Sequence, residues 1–340
     1  MPIGFTEMRV KRLPCVRSLS CLFALALQFV LGAQAQQPPL KWIPNPEVQD
    51  SREQERWIRG HGSPVQRQLS AADIAPPLPE KIVIVTWNVH GTHGRILDFV
   101  SELKAGRITG SPVHHFVLLL QEVVRVGGDI KTFGKGMARS SAIAETDPRL
   151  PDVGEVAEAL DLSLLYVPSM RNGTERQDRG NAILSTLPQL AASAFELPFR
   201  RERRVGIAAS IPVALDGSTA MLRVVNIHFD PWMRRRRMYV LGNPRPDQAK
   251  GTLKYLADLE ASAMILGGDF NVVPGESGAV DILRPWARST GHEEKRGTFG
   301  GRRLDYLLFR FQPGLRGDTM RAESTFGSDH RPLVGSIRRH

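Results

Sequence analysis

Met264-Ile265-Leu266-Gly267-Gly268-Asp269-Phe270-Asn271 is the stretch on which the fold turns. A short apolar run closed by two glycines, an acid and an amide describes a buried strand that ends abruptly in polar side chains. Sites in open sheets are built at such strand ends. Taken alone, Gly, Asp and Asn after a strand are also ordinary turn residues.

The same punctuation recurs along the chain. Trp87-Asn88 follows the apolar run from Ile82, Gln121-Glu122 follows Val117 to Leu120, and Asn226-Ile227-His228-Phe229-Asp230 closes Leu222 to Val225. Asp329-His330 precedes the last apolar run. Each is compatible with a strand-end cap, but five together do not read as five independent caps.

Short β-branched runs predict strands over 82–86, 116–120, 162–167, 182–185, 205–211, 221–227, 264–266, 304–309 and 332–337. Helical spacing predicts helices over about 94–105, 152–161 and 246–261, the last from Leu253, Leu256, Ala257 and Leu259. The class is α/β with many strands. No long internal repeat is visible.

With 340 residues and 41% hydrophobic content, the chain is long enough for one large domain with a sizeable core. Arg9, Lys11, Arg12 and Arg17 precede the apolar run Leu22 to Leu31, and Ala33-Gln34-Ala35 offers a small-x-small cleavage site. We therefore expect a signal peptide at 1–35, cut after Ala35, and a periplasmic or secreted product with no stable membrane span after cleavage. The competing reading is an uncleaved anchor, for which the apolar core is short. Both cysteines, Cys15 and Cys21, fall inside this leader, so the mature chain carries neither thiol nor disulfide. Residues 36–79 are rich in Pro, Gln and charge and read as an N-terminal arm or linker. The domain that follows spans 80–340.

The formal charge is +10, and it becomes +7 once the leader's four basic residues and one acidic residue are removed. The excess is clustered at Arg200-Arg201-Glu202-Arg203-Arg204, at Arg234 to Arg237, and at Lys295-Arg296 with Arg302-Arg303. Such clusters suit a polyanionic partner, either nucleic acid or an acidic membrane surface; the plainer alternative is a solvated basic face.

Carboxylates and amides without a usable cysteine suit a hard, oxygen-preferring cation, Mg²⁺ or Mn²⁺ and after them Ca²⁺, better than a structural zinc. CxxC, HExxH, Gly-x-Ser-x-Gly and Walker patterns are all lacking, which leaves serine-hydrolase and P-loop chemistry without support. Metal with histidine points to hydrolysis of a phosphate ester.

Over about Lys81 to Arg338 the chain resembles the endonuclease/exonuclease/phosphatase superfamily. The resemblance is carried by Thr86-Trp87-Asn88-Val89-His90-Gly91, Leu120-Gln121-Glu122, Gly180-Asn181-Ala182-Ile183-Leu184-Ser185, Asn226-Ile227-His228, Gly268-Asp269-Phe270-Asn271, Arg303-Leu304-Asp305-Tyr306 and Ser328-Asp329-His330-Arg331-Pro332. Each element is short, and their common order is what makes the set specific. The resemblance implies a four-layered sandwich, with two packed sheets of mostly antiparallel or mixed strands flanked by helices.

It also implies roles. Glu122 would be the principal metal ligand, supported by Asn88 and Asp329. Asp269 would orient the attacking water and Asn271 would hold the scissile phosphate through its side-chain N–H. His330 would face the phosphate, oriented by Asp305. His228 would protonate the leaving oxygen, although the carboxylate that supports this histidine in related nucleases has no secure equivalent, with Glu175 and Asp178 only in the neighbourhood. Trp87 and Phe270 are expected to pack beneath the site, His90 and His93 to be loop residues, and Asn181 to brace strand ends with a secondary chance of touching substrate.

Asp230 to Gln248 follows the histidine-bearing strand and carries Trp232, Arg234, Arg235, Arg236, Arg237, Tyr239 and Arg245. Arginines beside aromatics suit a nucleic-acid backbone with stacked bases, and equally an anionic lipid headgroup. A monomeric metal-dependent nuclease of low specificity is the leading expectation. A sphingomyelinase or other phospholipid phosphodiesterase, a small-molecule phosphatase, and a non-catalytic binding module follow in that order.

Overall fold

A computed structural model describes residues 39–44, 61–69, 81–127, 129–130, 150–170, 176–199, 203–215, 218–231, 242–259, 261, 263–272, 278–288 and 291–339. The predicted leader and the arginine run 234–237 lie outside the described residues. In chain order the strands are β1 (Lys41–Ile43), β2 (Val65–Arg67), β3 (Val83–Asn88), β4 (Phe116–Val126), β5 (Ser163–Met170), β6 (Gln177–Ser185), β7 (Leu190–Glu196), β8 (Val205–Leu215), β9 (Ser218–His228), β10 (Ala263–Asp269), β11 (Asp305–Phe311), β12 (Leu315–Arg321) and β13 (Leu333–Arg339). The helices are α1 (Ile96–Lys104), α2 (Val153–Ala159), α3 (Arg245–Ala257) and α4 (Ala279–Leu283). All nine predicted strands and all three predicted helices are present.

The strands form two mixed sheets, a six-stranded one in the order β1-β7-β8-β9-β10-β11 and a seven-stranded one in the order β12-β13-β3-β4-β6-β5-β2. Three apolar layers hold the assembly. Ile84, Leu119, Ile183, Val224, Ile265 and Leu307 pack between the sheets. Phe99, Leu103, Val156 and Tyr166 close the outer face of the seven-stranded sheet with α1 and α2, and Leu256, Leu283, Leu266 and Phe270 close the other with α3 and α4. The result is the expected four-layered sandwich. Because the central strands are covered on both faces, they read as continuous apolar runs and not as alternating ones.

Polar ties cross the apolar layer directly below the site. The Gln121 side-chain N–H donates to Asn226 Oδ1 at 2.7 Å and to Thr86 Oγ1 at 3.1 Å. The Asn226 amide donates in turn to the carbonyls of Leu120 and Ala182 at 2.8 and 2.9 Å. Asn181 adds a third tie, its amide donating to the Val205 carbonyl at 2.7 Å. Buried amides that donate across the layer in this way fix the offset of one sheet against the other.

Of the N-terminal arm, Lys41–Ile43 pairs in parallel with β7 and Val65–Arg67 antiparallel with β5, so each supplies an outermost strand of one sheet. The strands not foreseen, β1, β2, β7 and β12, are all short, small-residued or polar.

Register explains why the opening stretch matters. Along β10, Asp269 is paired with His228 of β9 on one side and with Asp305 of β11 on the other. Three polar residues from three distant segments thus form one row at the sheet's end. Gly268 makes the row possible: its φ is +155°, and an added Cβ would sit 1.9 Å from the Ile227 carbonyl oxygen. We expect Gly268→Ala to lower stability by about 3 kcal/mol or more, at the upper end for single substitutions. Chemical denaturation of the two proteins measures this.

Candidate active site

The site lies where β3, β9 and β10 end, β11 begins and β4 bulges at Glu122. It is built on strained backbone: His90, Glu122 and Asn271, three of the six non-glycine residues with positive φ among those described, stand at φ 52°, 57° and 51°. Such conformations persist where surrounding contacts enforce them, and they cluster at functional sites. At Glu122 the cause is visible, because the pairing of β4 with β6 shifts register between Leu120 and Val123, a bulge that re-aims the side chain.

His330 Nδ1 lies 2.8 Å from Asp305 Oδ2, and both side chains are buried. With the carboxylate as acceptor, Nδ1 carries the proton and Nε2 faces the site. That Nε2 is 3.7 Å from Asp269 Oδ2. The ring is held from behind: its backbone N–H donates to Ser328 Oγ at 3.0 Å, and its carbonyl accepts from the Trp87 indole N–H at 3.0 Å. Trp87 itself packs on Phe99 and Phe326, beneath the site as expected. Burial works against charge on His330, but the carboxylates of Asp305 and Asp269 outweigh it and raise its pKa to about 10. Burial pushes Asp269 up from 3.8 to about 7, opposed by the charge of His330 and reinforced by Asp305. A histidine that favours its cationic form therefore faces a carboxyl group poised near neutrality.

Asp269 also accepts from the Asn88 amide at 3.0 Å and, through Oδ1, from the Asn271 backbone N–H at 2.9 Å. Asn88 gives its other N–H to Glu122 at 3.2 Å, while its Oδ1 accepts from the His90 backbone N–H. The face Asn88 turns to the two carboxylates is thus its amide nitrogen; it braces them and offers no oxygen ligand in this arrangement. Asn271 lies beside Asp269 as expected, with its side-chain amide donating to the Phe229 carbonyl at 3.0 Å.

Glu122 keeps part of its side chain exposed and receives Arg179 at 3.1 Å. Asp329 stands apart at the rim, where it meets His90 Nδ1 at 3.2 Å. Their hydrogen bond, more than any other influence, raises the pKa of His90. Burial pushes Asp329 up, but the bond from His90 and the nearby imidazoles outweigh it and leave it low. His90, predicted as a loop residue, is therefore tied to the predicted metal set; His93 packs against its ring at 5.2 Å.

Oxygen donors are plentiful. Among the described residues one group of acidic and imidazole side chains has its ligand atoms within 4.8 Å of one another, Asp269, Asp305 and His330. With Asp305 bonded through Oδ2 to His330, the carboxylates that could exchange their bonds from Asn88, Arg179 and His90 for a cation are Asp269, Glu122 and Asp329. Among the described residues the buried Oδ1 of Asp305 has no hydrogen-bond partner. A hard divalent cation fits this donor set; a thiophilic one does not.

His228 Nε2 lies 3.7 Å from Asp269 Oδ2 and 3.9 Å from Glu122 Oε1, so it joins the site. Among the described residues its other nitrogen meets no carboxylate. Asp178 instead accepts from Tyr166, Arg125 and the Gly62 backbone, and Glu175 lies outside the described residues. The neighbour of Nδ1 is Arg204, at 3.1 Å.

Two sequence expectations change here. Arg203 and Arg204, read as part of a cluster for a polyanion or a solvated face, are buried, Arg203 paired with Glu196 and Arg204 with Asp230. Asn181, expected to brace strand ends with a secondary chance of touching substrate, is 1% exposed and serves as a tie between the sheets.

A four-layered sandwich with an acid–histidine pair, a central aspartate and a bulge-borne glutamate at its strand ends defines a class of hydrolytic scaffold. Residues 85–330 match the Endonuclease/Exonuclease/phosphatase family, and the chain belongs to it. Members of this family are in general divalent-metal-dependent phosphoric ester hydrolases. Among solved structures, an endonuclease/exonuclease/phosphatase family protein from Leptotrichia buccalis C-1013-b is similar at 16% identity, covering 76% of this chain and 99% of that one, with a TM-score of 0.50. The human Nocturnin catalytic domain with bound sulfate anion is similar at 17% identity, covering 83% and 99%, also at 0.50. At these identities the likeness bears on the fold. No curated protein matches the chain significantly in sequence.

Proposed function

We propose that the protein is an exported, divalent-metal-dependent phosphodiesterase that cuts nucleic-acid backbones with low sequence specificity. The observation that carries the hydrolytic part is the row His228, Asp269, Asp305, with His330 bonded to Asp305 and turned toward Asp269. Support for the polyanionic substrate comes from the net charge of +7 that remains once the leader is removed and from the four arginines Arg234 to Arg237 in the segment that follows His228.

In this scheme a water attacks phosphorus in line with the departing oxygen. Asp269, buried and held by Asn88 and Asn271, takes the water's proton, a task for which a pKa near neutrality is well matched. His330 donates from Nε2 to a phosphoryl oxygen as negative charge grows there, and Asp305 keeps the ring in the tautomer that can do so. Glu122 and Asp329 would hold a divalent cation, which would supply Lewis-acid stabilisation of the same charge.

Hydrolysis of plasmid DNA, RNA, sphingomyelin and a generic aryl phosphodiester, compared in Mg²⁺, Mn²⁺ and Ca²⁺, tests this. We expect nucleic acid to be cut with Mg²⁺ or Mn²⁺, activity to disappear with a chelator, and activity to return when the cation is restored. Turnover of sphingomyelin alone would overturn the nucleic-acid assignment, and chelator-resistant cutting would overturn the metal.

A further inference from the structure

The two site histidines are wired in opposite senses. His330 leans on a carboxylate, whereas the Nδ1 of His228 faces the guanidinium of Arg204 at 3.1 Å. Arg204 is 1% exposed, and its Nε donates to Asp230 Oδ1 at 3.0 Å. Asp230 is anchored by Gln248, which accepts from the Asp230 backbone N–H and donates to its carboxylate. The order of contacts is thus carboxylate, guanidinium, imidazole.

An arginine side chain offers only N–H donors and keeps its charge in proteins. A guanidinium N–H directed at an imidazole nitrogen requires that nitrogen to accept, so Nδ1 must be unprotonated and the ring proton must sit on Nε2. The alternative sets two buried N–H donors against each other at 3.1 Å, which is unfavourable. Nε2–H then points to the side of the site occupied by Asp269 and Glu122, at 3.7 and 3.9 Å.

We propose that Arg204 is a positioning residue that fixes His228 as its Nε2–H tautomer, making His228 a hydrogen-bond donor to an oxygen of the bound phosphodiester and not the acid that protonates the leaving group. The inference rests on the phosphodiesterase assignment for its chemistry, but its structural half stands without it. The balance is that of simple hydrolysis. The water oxygen bonds to phosphorus and its proton goes to Asp269; the ester oxygen leaves with the P–O electron pair and takes its proton from solvent.

Nitrogen-15 NMR of histidine-labelled protein at neutral pH reads the tautomer without any substrate, with the His228 signals identified by their loss in His228→Gln. The expected spectrum shows Nδ1 as a proton-free, pyridine-type nitrogen and Nε2 as a protonated, pyrrole-type one. In Arg204→Gln, whose amide can turn its oxygen toward the ring, the pattern shifts toward mixed tautomers. On whichever phosphodiester is turned over, kcat then falls about 10- to 100-fold with KM little changed, less than complete loss of a transition-state donor. A protonated Nδ1 in the native protein overturns the proposal, as does an unchanged tautomer in a folded Arg204→Gln. Should that variant fail to fold, the native spectrum decides alone. If the tautomer is as expected and no phosphodiester is cleaved, the assignment of function fails and the wiring of His228 stands.

Discussion

Replacing His330 with alanine is expected to lower kcat on a phosphodiester by about 10³- to 10⁴-fold, a loss of roughly 4–5.5 kcal/mol of transition-state stabilisation. The effect is large because Nε2 of His330 is the cationic donor of the row, its charge maintained by Asp305 at 2.8 Å and by Asp269. The same substitution has a structural cost. Among the described residues it strips Asp305 of its only side-chain donor, and since Asp305 Oδ1 has no partner among them either, a buried carboxylate is left nearly bare. Breaking a buried pair on one side costs about 3–5 kcal/mol. His330→Gln separates the two effects, because the amide can still donate to Asp305 but cannot become a cation. We expect the glutamine variant to be as inactive as the alanine variant and measurably more stable in urea.

Asp269→Asn should abolish turnover to a similar extent while making the cation-free protein more stable. The direction follows from the raised pKa. Asp269 ionises at about 7 when folded and starts from 3.8, so the fold resists its charge. Below about pH 4 the group is protonated whether folded or not, and the asparagine variant gains nothing from the missing charge. Between pH 4 and 7 folding takes up a proton and the native protein loses stability relative to the variant; above pH 7 the difference is constant. The plateau is on the order of 2–4 kcal/mol, reduced by the hydrogen bonds from Asn88 and Asn271 that a neutral amide answers less well. Unfolding in urea at pH 4 and pH 8, with no divalent cation, measures the pair of values. A variant more stable and less active than its parent is what a site that holds a buried charge for catalysis should yield.

The central architecture was legible because it is written in local signals. Covered strands such as β3, β4 and β10 are continuous apolar runs, and the polar residues that end them mark the site. The strands that escaped notice lack such runs. In β7, Leu190-Ala191-Ala192-Ser193-Ala194 carries small side chains with little periodic contrast, and in β12, Leu315-Arg316-Gly317-Asp318-Thr319 is polar. The three-residue strands β1 and β2 hold their places through pairing and not through composition.

The site divides in the same way. Asp269, Asp305 and His330 were found from the family resemblance in their motifs, and the register of β9, β10 and β11 brings them together with His228. Arg204 was missed because a run of arginines reads as surface. Its burial depends on Asp230, 26 residues further on, and no local pattern reports a pairing made by folding. The available signal was an acid two residues after His228 in a segment otherwise rich in arginine. Arg179 and His90 were similarly obscured, since their contacts with Glu122 and Asp329 exist only once the strand ends converge.

Hydrolysis of phosphodiesters is the reaction expected at these converging strand ends. It is tested most directly by the initial rate of p-nitrophenol release from bis(p-nitrophenyl) phosphate, with the native protein and His330→Ala assayed side by side in Mg²⁺ or Mn²⁺. The account predicts steady turnover by the native protein, loss of that turnover with a chelator, and a rate for His330→Ala lower by about 10³-fold or more. No turnover by folded native protein with any divalent cation, or equal rates for the two proteins, would contradict it.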